Sequence, residues 1–153
     1  MSNFVIMADA TCDLTKEFTD KYDIITIPGH LVFPGNKDLK AFLDWDTVAR
    51  DEFYADLKKR PDEYSTAPAN VEEFAEAMEK PASEGKDIIL MTISGGMSGA
   101  YNFALQAKDV ICKKYGVKVS IIDSMRFGPG FGLMAIHASI QRAQGKRSER
   151  AHV

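Results

Sequence analysis

Long apolar runs are missing from these 153 residues. The longest falls far short of the about 20 residues a membrane-crossing helix needs. The N-terminal stretch Met1–Met7 leads straight into a strand-like segment, without a basic n-region, an apolar h-region or a cleavage pattern. A cytoplasmic location is the expectation. Cysteine is scarce: Cys12 and Cys112 lie far apart, in no metal-ligand spacing. Free thiols in a reducing interior follow, with no metal site and no cofactor signature. Basic charge is not in excess, at 19 Lys and Arg against 22 Asp and Glu. No Lys/Arg stripe precedes Lys146, Arg147 and Arg150 at the end. Nucleic acid is therefore not an expected partner. Internal repeats and low-complexity linkers are also lacking, and the length suits one compact domain.

Short apolar runs alternate with amphipathic stretches. Phe4–Ala8, Ile24–Ile27, Asp87–Ile93 and Val117–Ile122 read as strands, several of them apolar enough to be covered on both faces. Between them, Leu14, Phe18 and Tyr22 recur at helical spacing behind Asp13, a candidate cap. Leu31–Phe33 reads as a short strand extension, and Asp46 and Thr47 as the opening of a helix containing Phe53 and Leu57. Asn70 and Glu73 have the spacing of a capping box, with Val71, Phe74, Ala75 and Met78 on the apolar face behind. A long helix starts at Ser98 or Gly99, and a last one runs from about Gly130 to Ala143, with Gly145 as its stop. The pattern predicts an α/β fold: a mostly parallel sheet of about four strands with helices on both faces.

Ligands of open parallel sheets bind beyond the carboxyl ends of the strands. The residues there are Asp9-Ala10-Thr11, Ser94 to Gly99, and Asp123-Ser124, and the segment Tyr64 to Pro68 adds further hydroxyls. Ser65, Thr66, Ser94, Gly95 and Ser98 offer small donors and a glycine-flanked turn before a helix, with little positive charge. Such a set suits a weakly charged anion, such as one carboxylate. Each of these residues, taken singly, also reads as an ordinary turn or cap. Gly96 to Ala100 comes near a nucleophile elbow but ends in alanine, and His30, His137 and His152 are poorly placed as bases. The Ser94 turn lacks the Lys of a phosphate loop. Asp9 reads as a tie between adjacent loops through backbone N–H groups, and no catalytic residue is assigned.

Six segments in order resemble the DegV family. They are Phe4 to Leu14 with its Asp-Ala-Thr turn, Tyr22 to Pro28, Asp51 to Tyr54, Ser65-Thr66-Ala67-Pro68, Ile93 to Tyr101, and Ile122-Asp123-Ser124. The third to fifth match the family's Phe-Tyr helix, Thr-Ser-Gln-Pro loop and Ile-Ser-Ser-x-Leu-Ser-Gly-Thr-Tyr turn. The resemblance implies a long-chain fatty acid held between two α/β domains, its carboxylate bound by hydroxyls and N–H groups of these two loops. It also implies presentation of that carboxylate to a separate fatty-acid kinase, so the chain itself is not an enzyme. Ser65 and Thr66 keep hydroxyls where the family has Thr and Ser, while Ala67 and Ala100 replace Gln and Thr. Gly95 replaces a serine and so removes a side-chain donor.

Residues 1–147 match the family's first domain, and 148–153 read as a truncated tail where a second domain would continue. An uncovered apolar face is then expected at Phe33, Met97, Phe127, Phe131 and Met134, with a homodimer as one way to cover it. Two other readings stand beside this one: a small serine-dependent hydrolase or transferase using Ser94 or Ser98, and a ligand-free interaction module.

Overall fold

The computed structural model describes residues 4–35, 37–41 and 48–146. Its first half contains β1 (Phe4–Asp9), α1 (Lys16–Tyr22), β2 (Ile24–Ile27), β3 (Gly29–Phe33), β4 (Lys37–Ala41), α2 (Arg50–Leu57) and β5 (Ser65–Ala67). The second half contains α3 (Val71–Ser83), β6 (Asp87–Thr92), α4 (Ala100–Tyr115), β7 (Val119–Asp123) and α5 (Pro129–Ala143).

β2, β1, β6 and β7 form a parallel sheet in that order. β1 is apolar at almost every position because alternate side chains enter two different cores. Phe4, Ile6 and Ala8 pack with Ile89, Met91 and the α5 residues Phe131, Ala135 and Ala138. On the opposite face, Met7 packs with Leu90, with Phe74 and Met78 of α3, and with Ala104 and Ile111 of α4. Fully burying a side chain such as Phe74 or Phe131 contributes about 1.5–3 kcal/mol. The fold is thus α/β, with a four-stranded parallel sheet and helices on both faces.

Caps and glycines set several boundaries. Asn70 Oδ1 accepts the Glu73 N–H at 3.0 Å, and Glu73 Oε2 accepts the Asn70 N–H at 2.9 Å, which is the capping box expected for α3. Asp13 does not cap α1. It sits in the left-handed region at φ 53° after a single 3-10 turn, and Thr15 occupies the cap position instead. Gly132 brings α5 against that turn, where a Cβ would lie 2.4 Å from the Cys12 carbonyl oxygen. β7 starts two residues later than expected, at Val119. The proposed helix opening at Asp46 and Thr47 lies outside the described residues, and α2 begins at Arg50.

A second sheet, antiparallel in the order β4-β3-β5, is the main feature absent from the sequence reading. Only its Leu31–Phe33 portion is expected there as a strand, and the 64–68 segment is read as a loop. Phe33, Phe53 and Tyr64 join β3, α2 and the approach to β5 in an aromatic cluster, with ring centroids 5.2–5.8 Å apart.

Candidate functional site

The strand order reverses between β1 and β6: the chain leaves β1 toward β2 on one side, while β6 leads to β7 on the other. Crevices at such a reversal, beyond the carboxyl ends of the strands, are where open α/β sheets bind ligands. Asp9, the last residue of β1, spans this reversal. Its Oδ2 accepts the Ile93 N–H at 2.7 Å, and its Oδ1 accepts the Thr11 N–H at 3.0 Å and the Thr11 hydroxyl. Burial pushes the Asp9 carboxyl above its ordinary value, against the lowering effect of these hydrogen bonds. The tie between loops expected of Asp9 is present.

The turn after β6 consumes its own backbone donors. The Ser94 N–H reaches the Arg126 carbonyl at 3.0 Å. The Gly95 N–H lies 3.1 and 3.2 Å from the two Asp123 carboxylate oxygens. Gly96 donates to Ser94 Oγ at 3.3 Å, while Met97 and Ser98 donate to the Ser94 carbonyl at 2.9 and 3.1 Å. The Ala100 N–H reaches Ser98 Oγ at 3.2 Å. Every N–H from 93 to 98 therefore has an acceptor within the protein. A serine oxygen that accepts an N–H still has its own O–H to donate. Ser94 and Ser98 therefore each combine an accepted backbone N–H with an O–H still able to donate.

Gly95 has a geometric role here. A Cβ at this position would lie 3.0 Å from Asp123 Oδ2 and 3.4 Å from Tyr101 Cδ1. Its absence lets the Asp123 carboxylate close on the turn. Asp123 Oδ1 also accepts the Met125 N–H at 2.9 Å, so one side chain holds the loops after β6 and β7 together. The position of Asp123 at a strand end was the only sequence signal for this grip.

Ser65 and Thr66 are exposed on β5, an edge strand of the small sheet. Ser65 pairs with Val32 and Thr66 with Leu31. Successive residues of a strand face opposite sides, so only one of these hydroxyls can face a given pocket. Just beyond β5, Ala69 is buried in the same core as Ile93 and Ala100, which bracket the Ser94 turn. Ala67 and Pro68 also lie against Gly29, two residues past the end of β2, which puts the exit of β5 at the β2 corner of the main sheet's carboxyl edge.

Apolar side chains surround this edge. Met97 is 66% exposed, Met125 80% and Phe127 60%. Three other residues expected on an open face are covered. Phe131 is fully buried in the α5 core, because the first turn of that helix faces β1. Met134 is half-buried against the same core, and Phe33 is half-buried in the aromatic cluster.

Neither described histidine bonds a serine of the turn: His30 lies between Asp38 and Glu73, and His137 lies beside Gln141 on α5. His152 is outside the described residues. Among the described residues no three His, Cys, Asp or Glu side chains cluster so as to hold a metal ion. No helix among them is long and apolar enough to cross a membrane.

Comparison with known proteins gives a consistent family. A family model described as "Uncharacterised protein, DegV family" matches residues 3–152. DegV domain-containing protein SACOL1460 of Staphylococcus aureus is 31% identical over 137 residues, covering 90% of this chain and 46% of that protein. A DegV domain-containing 15.5 kDa protein of the same species is 28% identical and is covered over 92% of its length. The crystal structure of a stearic acid-binding protein from Eubacterium ventriosum superposes with a TM-score of 0.84 at 27% identity, covering 97% of this chain and 50% of that one. A DegV family protein from Thermus thermophilus shares the fold, with a TM-score of 0.82 at 19% identity. The chain spans about half the length of most curated relatives it matches. It belongs to the DegV family.

Proposed function

We propose that this chain binds a long-chain fatty acid, with the carboxylate at the Ser94–Ser98 turn and the tail along the exposed apolar side chains beside it. The observation that carries this reading is that Ser94 and Ser98 each accept a backbone N–H of the turn, so that each hydroxyl keeps its own O–H to donate to a ligand. Ser65 or Thr66 adds one further hydroxyl from the edge strand β5, and Gly95 keeps the turn closed on Asp123. Met97, Met125 and Phe127 supply apolar surface within reach of an acyl chain. The stearic acid-binding relative from E. ventriosum supports the same ligand class.

In this reading the chain is a carrier in the cytoplasm and has no catalytic group of its own. A separate fatty-acid kinase is the partner that acts on the presented carboxylate. Native mass spectrometry of the protein purified from cells, repeated after delipidation and incubation with stearate, tests the ligand. An adduct of fatty-acid mass is expected, and its absence in both preparations overturns the reading.

Exposure of Met97, Met125 and Phe127 on one edge also favours self-association, since soluble monomers rarely leave contiguous apolar surface open. Sedimentation at micromolar concentration is expected to show a dimer that Phe127→Ser weakens.

A further inference from the structure

The methionines divide sharply by burial. Among the described residues, Met7, Met78 and Met91 are fully buried, and Met134 is half-buried against the α5 core. Met97 and Met125 alone are exposed, and both lie at the carboxyl edge of the main sheet, one after β6 and one after β7. The large apolar side chains exposed on helices, Phe18, Val110, Leu133 and Ile140 among them, carry no sulfur. Open thioethers are thus confined to the edge that holds the candidate site.

The backbone fixes both residues beside the Ser94 turn. The Met97 N–H reaches the Ser94 carbonyl at 2.9 Å, and the Met125 N–H reaches Asp123 Oδ1 at 2.9 Å. That same oxygen accepts the Gly95 N–H, and the Ser94 N–H reaches the carbonyl of Arg126, next to Met125. A thioether is apolar and polarisable, yet its sulfur lone pairs react with a peroxide wherever the peroxide can reach them. The thiols are less open. Cys12 is fully buried, and Cys112 is half-buried near the far end of α4 from the turn.

We propose that Met97 and Met125 are modification sites for a hydroperoxide, and that their sulfoxides weaken binding of an acyl chain at this edge. The second half rests on the fatty-acid reading above, while the choice of sites does not. The sulfur lone pair attacks the outer peroxide oxygen, an S–O bond forms and the O–O bond breaks. With hydrogen peroxide the other oxygen leaves as hydroxide and takes the proton of the transferred oxygen, giving water. Sulfur loses an electron pair and the peroxide gains it. The product replaces an apolar side chain by a polar one whose new oxygen must be covered when an acyl chain lies over it. Because both side chains are exposed, the fold does not depend on their staying reduced.

The test is mild hydrogen peroxide on the purified chain, followed by dithiothreitol to reverse sulfenic acid and disulfide at cysteine. Peptide mapping should place sulfoxide at Met97 and Met125 well before Met7, Met78, Met91 or Met134, with the thermal melt unchanged. Stearate affinity, measured by calorimetry, is expected to fall on the order of tenfold, the scale of burying one unpaired polar group. Methionine sulfoxide reductases of both epimer specificities should restore it. The double variant Met97→Leu, Met125→Leu should keep its own starting affinity through the same treatment. Buried methionines that oxidise as fast as these two overturn the sites. Complete oxidation of both with unchanged stearate affinity, or an equal loss in the double variant, overturns the effect on binding. If the untreated protein binds no stearate, the fatty-acid reading fails and the effect on binding falls with it, while the peptide map still decides the modification sites.

Discussion

Asp9 Oδ2 accepts the Ile93 N–H at 2.7 Å, a bond between residues 84 positions apart that clasps the carboxyl ends of β1 and β6. The acceptor is a buried carboxyl whose proton affinity is raised by desolvation. Such a group binds its proton more tightly folded than unfolded, so its contribution to stability is greatest below its unfolded value near 3.8. That contribution declines as pH rises through the raised folded value. Asp9→Asn removes this decline, and urea midpoints of the variant should show a weaker loss of stability with rising pH than the wild type. An unchanged pH dependence would mean that Asp9 titrates as an exposed carboxyl.

Gly132→Ala places a methyl group 2.4 Å from the Cys12 carbonyl oxygen and 2.9 Å from Leu14 Cδ2. The backbone oxygen cannot yield cheaply, so α5 must shift away from the turn after β1. A loss of about 1–3 kcal/mol is expected in chemical denaturation. Gly116→Ala, which meets open space, tests the left-handed backbone alone, because it has φ +69° and no crowding. The larger loss should belong to Gly132→Ala.

Gly95→Ser is the substitution that restores the family's donor. Its Cβ meets Asp123 Oδ2 at 3.0 Å, a side-chain atom that can retreat by a few tenths of an ångström. Stability should fall by no more than about 1–2 kcal/mol, while stearate affinity should rise because a third hydroxyl joins the turn. Weaker binding with intact folding would show that the closure of Asp123 on the turn matters more than donor number.

Cys12 is fully buried, and burial pushes its thiol up to about 11. Cys112 is half-buried on α4. Iodoacetamide at neutral pH should alkylate Cys112 first, with Cys12 reacting only on unfolding, because the thiolate is the nucleophile. Peptide mapping of the alkylated protein reads the order directly.

The parallel core was legible because its strands are apolar on both faces. Phe4–Ala8 has no other economical reading, and the spacing of Asn70 and Glu73 announced α3. The small sheet was not legible. Lys37–Ala41 carries charges on an exposed face, and β5 is three residues long, too short for any period to show. At the site, the hydroxyls of Ser65, Thr66, Ser94 and Ser98 were visible as residue types at strand ends. Their surroundings were not: that Asp123 takes the Gly95 N–H, and that Ser65 and Thr66 face opposite ways, depends on contacts across the chain. Phe131 and Phe127 look alike in sequence, yet one is buried and the other exposed, because Phe131 falls on the inner stripe of α5 while Phe127 precedes the helix.

Ser94 is the residue on which the proposed carboxylate site turns, since its hydroxyl accepts from Gly96 and its carbonyl organises Met97 and Ser98. Stearate titration of the wild type against Ser94→Ala, with folding checked by thermal melts, tests this directly. The substitution keeps the carbonyl and removes only the hydroxyl, so the turn should persist while affinity falls about tenfold or more, the scale of a hydrogen bond to a charged group. Equal stearate affinity in the two proteins would contradict the site, and no stearate binding by the wild type would contradict the function.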